Sequence, residues 1–175
     1  MRILSGMYKG ITIKTSSKQN YRPTQSKVRK SIFDSLGSLE HCSVLDLFAG
    51  TGILGFESAS RGASSVVFVE KNLFVYKMIK KNATLFSNKN FEIKRNDAIR
   101  FLKTSQPFDL IFADPPYNYF SRNSEIDVDI FIHMMLEKIN LNGRFVFECP
   151  YRIDICYPVK TKVFGETKVC VGKKE

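Results

Sequence analysis

Short apolar segments alternate along most of the chain with segments of helical character, and this alternation constrains the fold more than any other feature. Between residues 44 and 149, five runs rich in Val, Ile, Leu and Phe are separated by amphipathic or capped stretches. Near-continuous apolar strands are typical of a parallel sheet that helices cover on both faces. The sequence therefore predicts an α/β fold, with ligands bound beyond the carboxyl ends of the strands.

The predicted elements form a regular series. The main strands are predicted at 44–48, 65–70, 91–95, 108–113 and 144–149. The helices are predicted from about residue 23 to 36 and at 52–61, 72–87, 98–103 and 126–139. Two short N-terminal strands are predicted at 2–5 and 10–14, and a closing hairpin at 160–164 and 167–171. That hairpin predicts antiparallel pairing at one edge of the sheet.

A glycine-rich loop follows the first main strand. Gly50, Gly52 and Gly55 match the GxGxxG pattern between a strand and a helix. Glycines at such positions let the backbone turn tightly and approach a ligand. The pattern alone fits a dinucleotide site and an S-adenosylmethionine site equally well.

Asp46, near the end of the first main strand, favours the second of these ligands. A carboxylate beside the loop repels a pyrophosphate but attracts the sulfonium and amino cations of S-adenosylmethionine. Glu70 ends the second strand, where a carboxylate can accept both ribose hydroxyls. Asp97 and Ala98 follow the third strand, where they can bind the adenine amino group and lie beside the ring, although Asp97 is equally suited to cap a helix.

The fourth strand leads into a stiff acceptor loop, Asp114-Pro115-Pro116-Tyr117. The two prolines fix the backbone and remove two N–H donors. An exocyclic amine on a nucleic-acid base is a poor nucleophile, and two acceptors can localise its lone pair. Asp114 and the Pro115 carbonyl suit this task, and Tyr117 can stack on the base. The loop predicts methyl transfer to such an amine, with Asp114 also able to take the surplus proton late in the reaction.

The charge distribution indicates a polyanionic partner. The chain carries a formal net charge of +10, and residues 1–41 hold eight Lys or Arg against two acidic residues. A basic surface favours nucleic acid through phosphate neutralisation. A solvated helix face in a basic proteome explains the same charge, so the charge alone does not decide between these readings.

Other patterns narrow the functional classes. Four cysteines, Cys42, Cys149, Cys156 and Cys170, match no zinc or redox spacing, so no metal is expected. There is no apolar run of membrane-spanning length, and the N-terminal residues lack the apolar core of a signal peptide. We therefore expect a cytoplasmic protein without a membrane partner, and a monomer by default.

These motifs together resemble a known family. The loop 114–117 combined with the segment 46–52 is similar to the class I amino-methyltransferases. Further motifs resemble the bacterial RsmD-type 16S rRNA (guanine-N2)-methyltransferases, and the likeness spans nearly the whole chain. These motifs are Arg2-Ile3, Gly6, Lys9-Gly10, Arg22-Pro23-Thr24, Val28-Arg29 and Phe164-Gly165.

The resemblance implies a Rossmann-like three-layer sandwich, with a mostly parallel seven-stranded sheet and a C-terminal antiparallel hairpin. It implies an N-terminal hairpin and helix extension at 1–41 and a methyltransferase domain at 42–175. The implied reaction is methylation of a guanine N2 in ribosomal RNA, free or within an assembling small subunit.

The resemblance also implies roles for particular residues. The implied catalytic residues are Asp114, Pro115, Pro116 and Tyr117. The implied cofactor residues are Asp46, Phe48, Ala49, Gly50, Thr51, Gly52, Glu70, Asp97 and Ala98. The implied RNA-binding residues are Arg2, Lys9, Arg22, Lys27, Arg29 and Lys30, of which Arg22 can instead help to close the cofactor pocket.

The sequence departs from the family pattern between the fifth strand and the hairpin, where the segment 150–159 is short for a helix. Three rival functions stay open. An adenine-N6 methyltransferase uses the same acceptor loop, an NAD-dependent dehydrogenase leaves that loop unexplained, and a non-enzymatic rRNA-binding protein has no need of either site.

Overall fold

A computed structural model describes residues 1–15, 26–87, 90–116, 119–120 and 127–175 of the chain. The strands in this part of the chain are β1 (Ser43–Leu47), β2 (Ser65–Val69), β3 (Asn90–Lys94), β4 (Phe108–Ala113), β5 (Ile139–Pro150), β6 (Lys160–Phe164) and β7 (Thr167–Lys173). The helices are α1 (Ser26–Leu36), α2 (Ile53–Ser60), α3 (Leu73–Ala83), α4 (Ala98–Thr104) and α5 (Val128–Glu137).

The strands form one seven-stranded sheet in the order β3-β2-β1-β4-β5-β7-β6. The five strands from β3 to β5 are parallel, whereas β7 pairs antiparallel with both β5 and β6. Chain order reverses between β1 and β4, and such a switch opens a crevice at the carboxyl ends of the strands. The predicted fold class is therefore confirmed.

Helices cover both faces of the sheet, because alternate residues of each buried strand point to opposite sides. One core contains Val44 and Phe112 together with apolar residues of α1, α2 and α3. The other contains Leu45 and Ile111 together with residues of α4 and α5. Each fully buried Leu, Ile or Phe side chain contributes roughly 1.5–3 kcal/mol to stability.

Two predicted boundaries are wrong. The third helix ends at Ala83 rather than near residue 87, because the chain turns there to bury Phe86 in a stack on Phe56 with ring centroids 4.7 Å apart. The fifth main strand begins at Ile139 rather than at 144. Asn142 adopts a positive φ of 64° within it, so a turn signal in the sequence lies inside an irregular strand.

The predicted N-terminal strand pair is present but shorter than expected. Arg2 bridges Thr12 in antiparallel fashion, and the backbone N–H groups of Ile3 and Ile13 donate to the carbonyls of Ile11 and Met1 at 2.9 and 2.6 Å. The backbone N–H groups of Leu4 and Ser5 instead donate to the carboxylate of Glu57 on α2, at 2.8 and 3.1 Å. These bonds fasten this segment to the main fold.

The remaining elements agree with the prediction to within a few residues. The start of α1 near residue 23 lies outside the described residues, and so does the loop before it. The segment 150–159 contains no helix, as its length predicts. In the described part of the chain, no helix is both long and apolar enough to cross a bilayer.

Candidate active site

A cleft of about 1120 Å³ opens at the carboxyl edge of the sheet, where the order of strands switches. It runs from the loop after β3, past the ends of β2, β1, β4 and β5, to the turn between β6 and β7. Pockets for one small ligand commonly measure about 300–1,000 Å³. The cleft therefore has room for a nucleoside-sized cofactor and a second planar ligand.

The glycine loop forms the floor of the cleft between β1 and α2. Phe48, Gly50 and Gly52 adopt positive φ angles of 58°, 54° and 76°. A Cβ atom at residue 52 would lie 2.8 Å from the Phe56 ring, so only glycine fits there. This tight turn also brings Ala49 and Thr51 to the lining of the cleft.

Asp46 lies beneath this loop and is only 3% exposed. Its Oδ2 accepts a hydrogen bond of 3.0 Å from the backbone N–H of Gly55. Burial raises the pKa of Asp46 well above its ordinary value, the Gly55 bond opposes this, and the nearby carboxylates of Asp114 and Glu70 raise it further. The site thus holds an acid whose charged form a bound cation would stabilise.

Glu70 follows β2 and fixes the neighbouring loops. Its carboxylate accepts the N–H groups of Gly50 at 3.0 Å and of Asn72 at 2.7 Å. Burial raises the pKa of Glu70, and these bonds with that from the Lys71 backbone lower it again. Each carboxylate oxygen can accept a second bond, so Glu70 can hold the loops and still bind hydroxyl groups.

Asp97 follows β3 and caps α4, because its Oδ1 accepts from the N–H groups of Ile99 and Arg100 at 3.1 and 3.2 Å. Its Oδ2 lies 3.4 Å from Nζ of Lys71. Asp97 and the buried Ala98 also line the cleft. Asp97 therefore caps α4 and also lines the cleft, so the two roles that the sequence leaves open are compatible with each other.

The acceptor loop enters the cleft directly from β4. Asp114, Pro115 and Pro116 line it, and the backbone N–H of Tyr119 donates to the Pro116 carbonyl at 2.8 Å. Tyr117 lies outside the described residues, so its stacking role stays a prediction.

An aromatic cluster supports this loop from below. The rings of Phe48 and Tyr119 meet edge to face with centroids 5.0 Å apart. Phe120 packs on Phe131 of α5 and on Phe147 of β5, at 5.6 and 5.7 Å. The two aromatic residues after the acceptor loop, to which the sequence assigned no role, thus connect it to the core and to the glycine loop.

The far end of the cleft contains residues that the sequence analysis missed. Glu148 of β5 and Thr167 of β7 line it and are only 6% and 7% exposed. Phe164, Gly165 and Lys27 complete this end. One signal was available for Glu148: it is the only acidic residue of an otherwise apolar strand end, on the strand next to the one that precedes Asp114.

The predicted RNA-binding cations differ in exposure. Four of the described ones are exposed, namely Arg2, Lys9, Lys27 and Lys30, and Arg22 lies outside the described residues. Arg29 contradicts its prediction, because it is 1% exposed and its Nη2 donates to the Arg2 carbonyl at 3.1 Å. Burial lowers the pKa of Arg29, and the nearby Glu57 carboxylate opposes that shift. Arg29 therefore holds the N-terminal segment to α1 instead of offering a surface to phosphate.

A family model described as conserved hypothetical protein 95 matches residues 1–171. The chain is 34% identical to the Bacillus subtilis protein YlbH, named as a candidate rRNA methyltransferase, over 99% of each chain. It is 38% identical to the ribosomal RNA small subunit methyltransferase D of Buchnera aphidicola, over 66% of this chain and 62% of that protein.

A solved structure agrees with the fold. The Escherichia coli protein yhhF superimposes with a TM-score of 0.85 at 24% identity, over 100% of this chain and 98% of the other. The match of the family model over nearly the whole chain, with relatives above 30% identity, agrees with the glycine and Asp-Pro-Pro loops found in one cleft. The chain therefore belongs to the family described as conserved hypothetical protein 95, the family of the RsmD-type methyltransferases.

Proposed function

We propose that this protein transfers a methyl group from S-adenosylmethionine to the exocyclic N2 of a guanine in 16S ribosomal RNA. One observation carries the proposal: the glycine loop with its buried acid and the Asp-Pro-Pro loop line the same cleft. The relatives named as rRNA methyltransferases support the substrate. We further propose that the protein acts as a monomer without metal, on free rRNA or on an assembling subunit.

The acids of the cleft fit S-adenosylmethionine better than a dinucleotide. Asp46 and Glu70 are carboxylates whose pKa values burial raises, and the Asp114 carboxylate is close enough to raise that of Asp46 further. A pyrophosphate placed here would add negative charge to a site that already disfavours it. A ligand with a sulfonium and an ammonium group would relieve that repulsion.

Each strand end then binds one part of the cofactor. Asp97 would accept the adenine amino group with Ala98 beside the ring, and Glu70 would accept the ribose hydroxyls. Asp46 would stabilise the cationic part of the cofactor, and residues 48–52 would lie beside it. S-adenosylmethionine supplies a methyl group made electrophilic by its positive sulfur.

The acceptor loop activates the guanine amine. The two N–H groups of this amine donate to the Asp114 carboxylate and the Pro115 carbonyl. These bonds direct the nitrogen lone pair out of the ring plane towards the methyl group. As the new N–C bond forms and the S–C bond breaks, the surplus proton passes from nitrogen to Asp114. Positioning and complementary charge supply most of the rate enhancement.

The basic surface binds the rRNA. Lys27 lines the far end of the cleft, beside Glu148 and the β6–β7 turn; this is the acceptor end, where the RNA base is proposed to bind. Arg2, Lys9 and Lys30 are exposed elsewhere in the N-terminal segment and α1. Contacts between these cations and phosphates release counterions, so binding weakens as salt rises. Arg22 keeps its two proposed roles, in phosphate contact or in closing the cofactor pocket.

Two measurements test this proposal. Calorimetry with S-adenosylmethionine and with NAD separates the cofactor classes, and we expect binding of S-adenosylmethionine only. Unmodified 16S rRNA is then incubated with the protein and cofactor, and its nucleosides are analysed by mass spectrometry. We expect N2-methylguanosine; N6-methyladenosine, or binding of NAD alone, would overturn the proposal.

A further inference from the structure

Glu148 lies beside the acceptor loop and has no part in the proposed methyl transfer. It belongs to β5, where Phe147 is in register with Ala113 of β4. The residues that follow this pair are Glu148 on β5 and Asp114 after β4. Neighbouring strands lie about 4.8 Å apart, so the two residues are next to each other at the sheet edge.

Glu148, Asp114 and Asp46 share one face of the sheet. Asp46 is in register with Phe112, and Phe112 with Val146. Residues two positions apart along a strand point to the same side. The three acids thus follow one another across β1, β4 and β5, and all three line the cleft.

This order separates the roles of the acids. Asp46 lies at the cofactor end of the cleft, which is the end lined by Glu70, Asp97 and the glycine loop. Asp114 lies in the middle, where methyl transfer is proposed, and Glu148 lies beyond it towards the β6–β7 turn. Glu148 is 6% exposed, between the buried residues Phe147 and Cys149. An ionised carboxylate only accepts hydrogen bonds, so a ligand that meets Glu148 at this end of the cleft is expected to present donors.

Guanine presents three donor hydrogens side by side: the N1–H and one N2 hydrogen on the Watson–Crick edge, and the second N2 hydrogen towards N3. If Asp114 and the Pro115 carbonyl accept the two N2 hydrogens, the N1–H points to the next acceptor along that edge. Adenine differs at this position because its N1 carries a lone pair and no hydrogen. A carboxylate there attracts guanine and repels adenine.

We propose that Glu148 is the residue that selects guanine, with its carboxylate accepting the N1–H while Asp114 and the Pro115 carbonyl hold the N2 amine. This inference rests on the proposed function and adds a physical basis for N2 of guanine over N6 of adenine, a choice that the acceptor loop alone leaves open.

The test uses a base that keeps the amine but changes N1. 2-Aminopurine carries the same exocyclic amine as guanine, while its N1 is an acceptor. The guanine that the wild-type protein methylates is first located by mass spectrometry. 16S rRNA, free or reconstituted into subunits as the wild type requires, is then built by splinted ligation with guanine or 2-aminopurine at that position. Methyl transfer rates on both are measured for wild type, Glu148→Gln and Glu148→Asp.

We expect Glu148→Gln to lower the ratio of guanine to 2-aminopurine rates by about 10- to 150-fold, the range for loss of one hydrogen bond to a charged group. The glutamine amide can donate to N1 of 2-aminopurine, whereas Glu148→Asp keeps the charge and thus the preference for guanine. 2-Aminopurine also lacks O6, but the effect of this loss on the rate is the same for each variant and cancels when the ratios are compared.

Glu137→Gln provides the matched control, because Glu137 is exposed at the end of α5 and is absent from the cleft lining. Its ratio should equal that of wild type. S-adenosylmethionine affinity, measured by calorimetry, reports whether each variant is folded. An unchanged ratio in an active Glu148→Gln variant, or its loss in Glu148→Asp, would overturn the role of Glu148. Absence of N2-methylguanosine with the wild type would instead overturn the proposed function.

Discussion

The two ends of the cleft are built in different ways. At the cofactor end, each acid is held by backbone N–H groups of nearby loops: Gly55 for Asp46, Gly50 and Asn72 for Glu70. At the acceptor end, Lys27 comes from α1 and the other lining residues come from β5, β7 and the β6–β7 turn, which the pairing of β5 with β7 brings together. The first end is encoded in local motifs, and the second in sheet topology.

The two ends also differ in charge. The cofactor end concentrates carboxylates whose pKa values burial raises, which suits a cationic ligand. The acceptor end combines one buried carboxylate with the basic side chain of Lys27, in a protein of net charge +10. This end suits a base that offers donors and is attached to phosphates. The following variants separate the two ends.

The largest effect is expected for Asp114→Ala, which changes the acceptor loop where the two ends meet. We expect the methyl transfer rate to fall by about 10³-fold, because an acceptor of the amine and its proton is lost. S-adenosylmethionine affinity should stay within a few-fold of wild type, measured by calorimetry. A variant with wild-type activity would remove Asp114 from the mechanism.

Asp46→Asn should affect the cofactor end alone. The amide can keep the bond from Gly55 but loses the charge, so S-adenosylmethionine affinity should fall by about 10- to 100-fold. Since the raised pKa of Asp46 means that its charge opposes folding at neutral pH, the free energy of unfolding without ligand should rise. Calorimetry and urea denaturation check the two signs, and lower stability with unchanged affinity would contradict the assignment.

Lys27→Gln combined with Lys30→Gln should affect the acceptor end alone. Loss of two phosphate contacts is expected to reduce the slope of log affinity against log salt by about 2 for rRNA binding. The double variant Lys77→Gln and Lys81→Gln, on the exposed face of α3, is the matched control. If both double variants changed the slope of log affinity against log salt equally, the positive charge would attract rRNA non-specifically, without a defined binding surface on α1.

The smallest expected effect is a pH dependence of cofactor affinity. The pKa of Asp46 is raised in the ligand-free protein, and a bound cation favours its charged form, so affinity should fall as pH decreases through that pKa. The stability of the ligand-free protein should change in the opposite sense, since protonation relieves the buried charge. Titrations from about pH 8 to about pH 5 on wild type and Asp46→Asn test this, and a slope that persists in the variant would assign it to another group.

The same contrast explains what the sequence could predict. The strands β1 to β4 and the acids after them were predicted within a residue or so, because apolar runs and glycine turns are local signals. Glu148 was missed because its role depends on β5 lying next to β4. Arg29 was assigned to RNA because helical periodicity gives the face of a residue, but not the N-terminal segment that covers that face. The N-terminal strand pair is shorter than its sequence pattern suggests because the N–H groups of Leu4 and Ser5 bond to Glu57, 53 and 52 residues away, while those of Ile3 and Ile13 bond across the pair.

The most direct test of the central claim is nucleoside mass spectrometry of 16S rRNA from a strain in which the gene for this protein is deleted. We predict that one N2-methylguanosine disappears and that the wild-type gene restores it, while a gene encoding Asp114→Ala does not. An unchanged level of N2-methylguanosine, or the loss of a different modified nucleoside, would contradict the account.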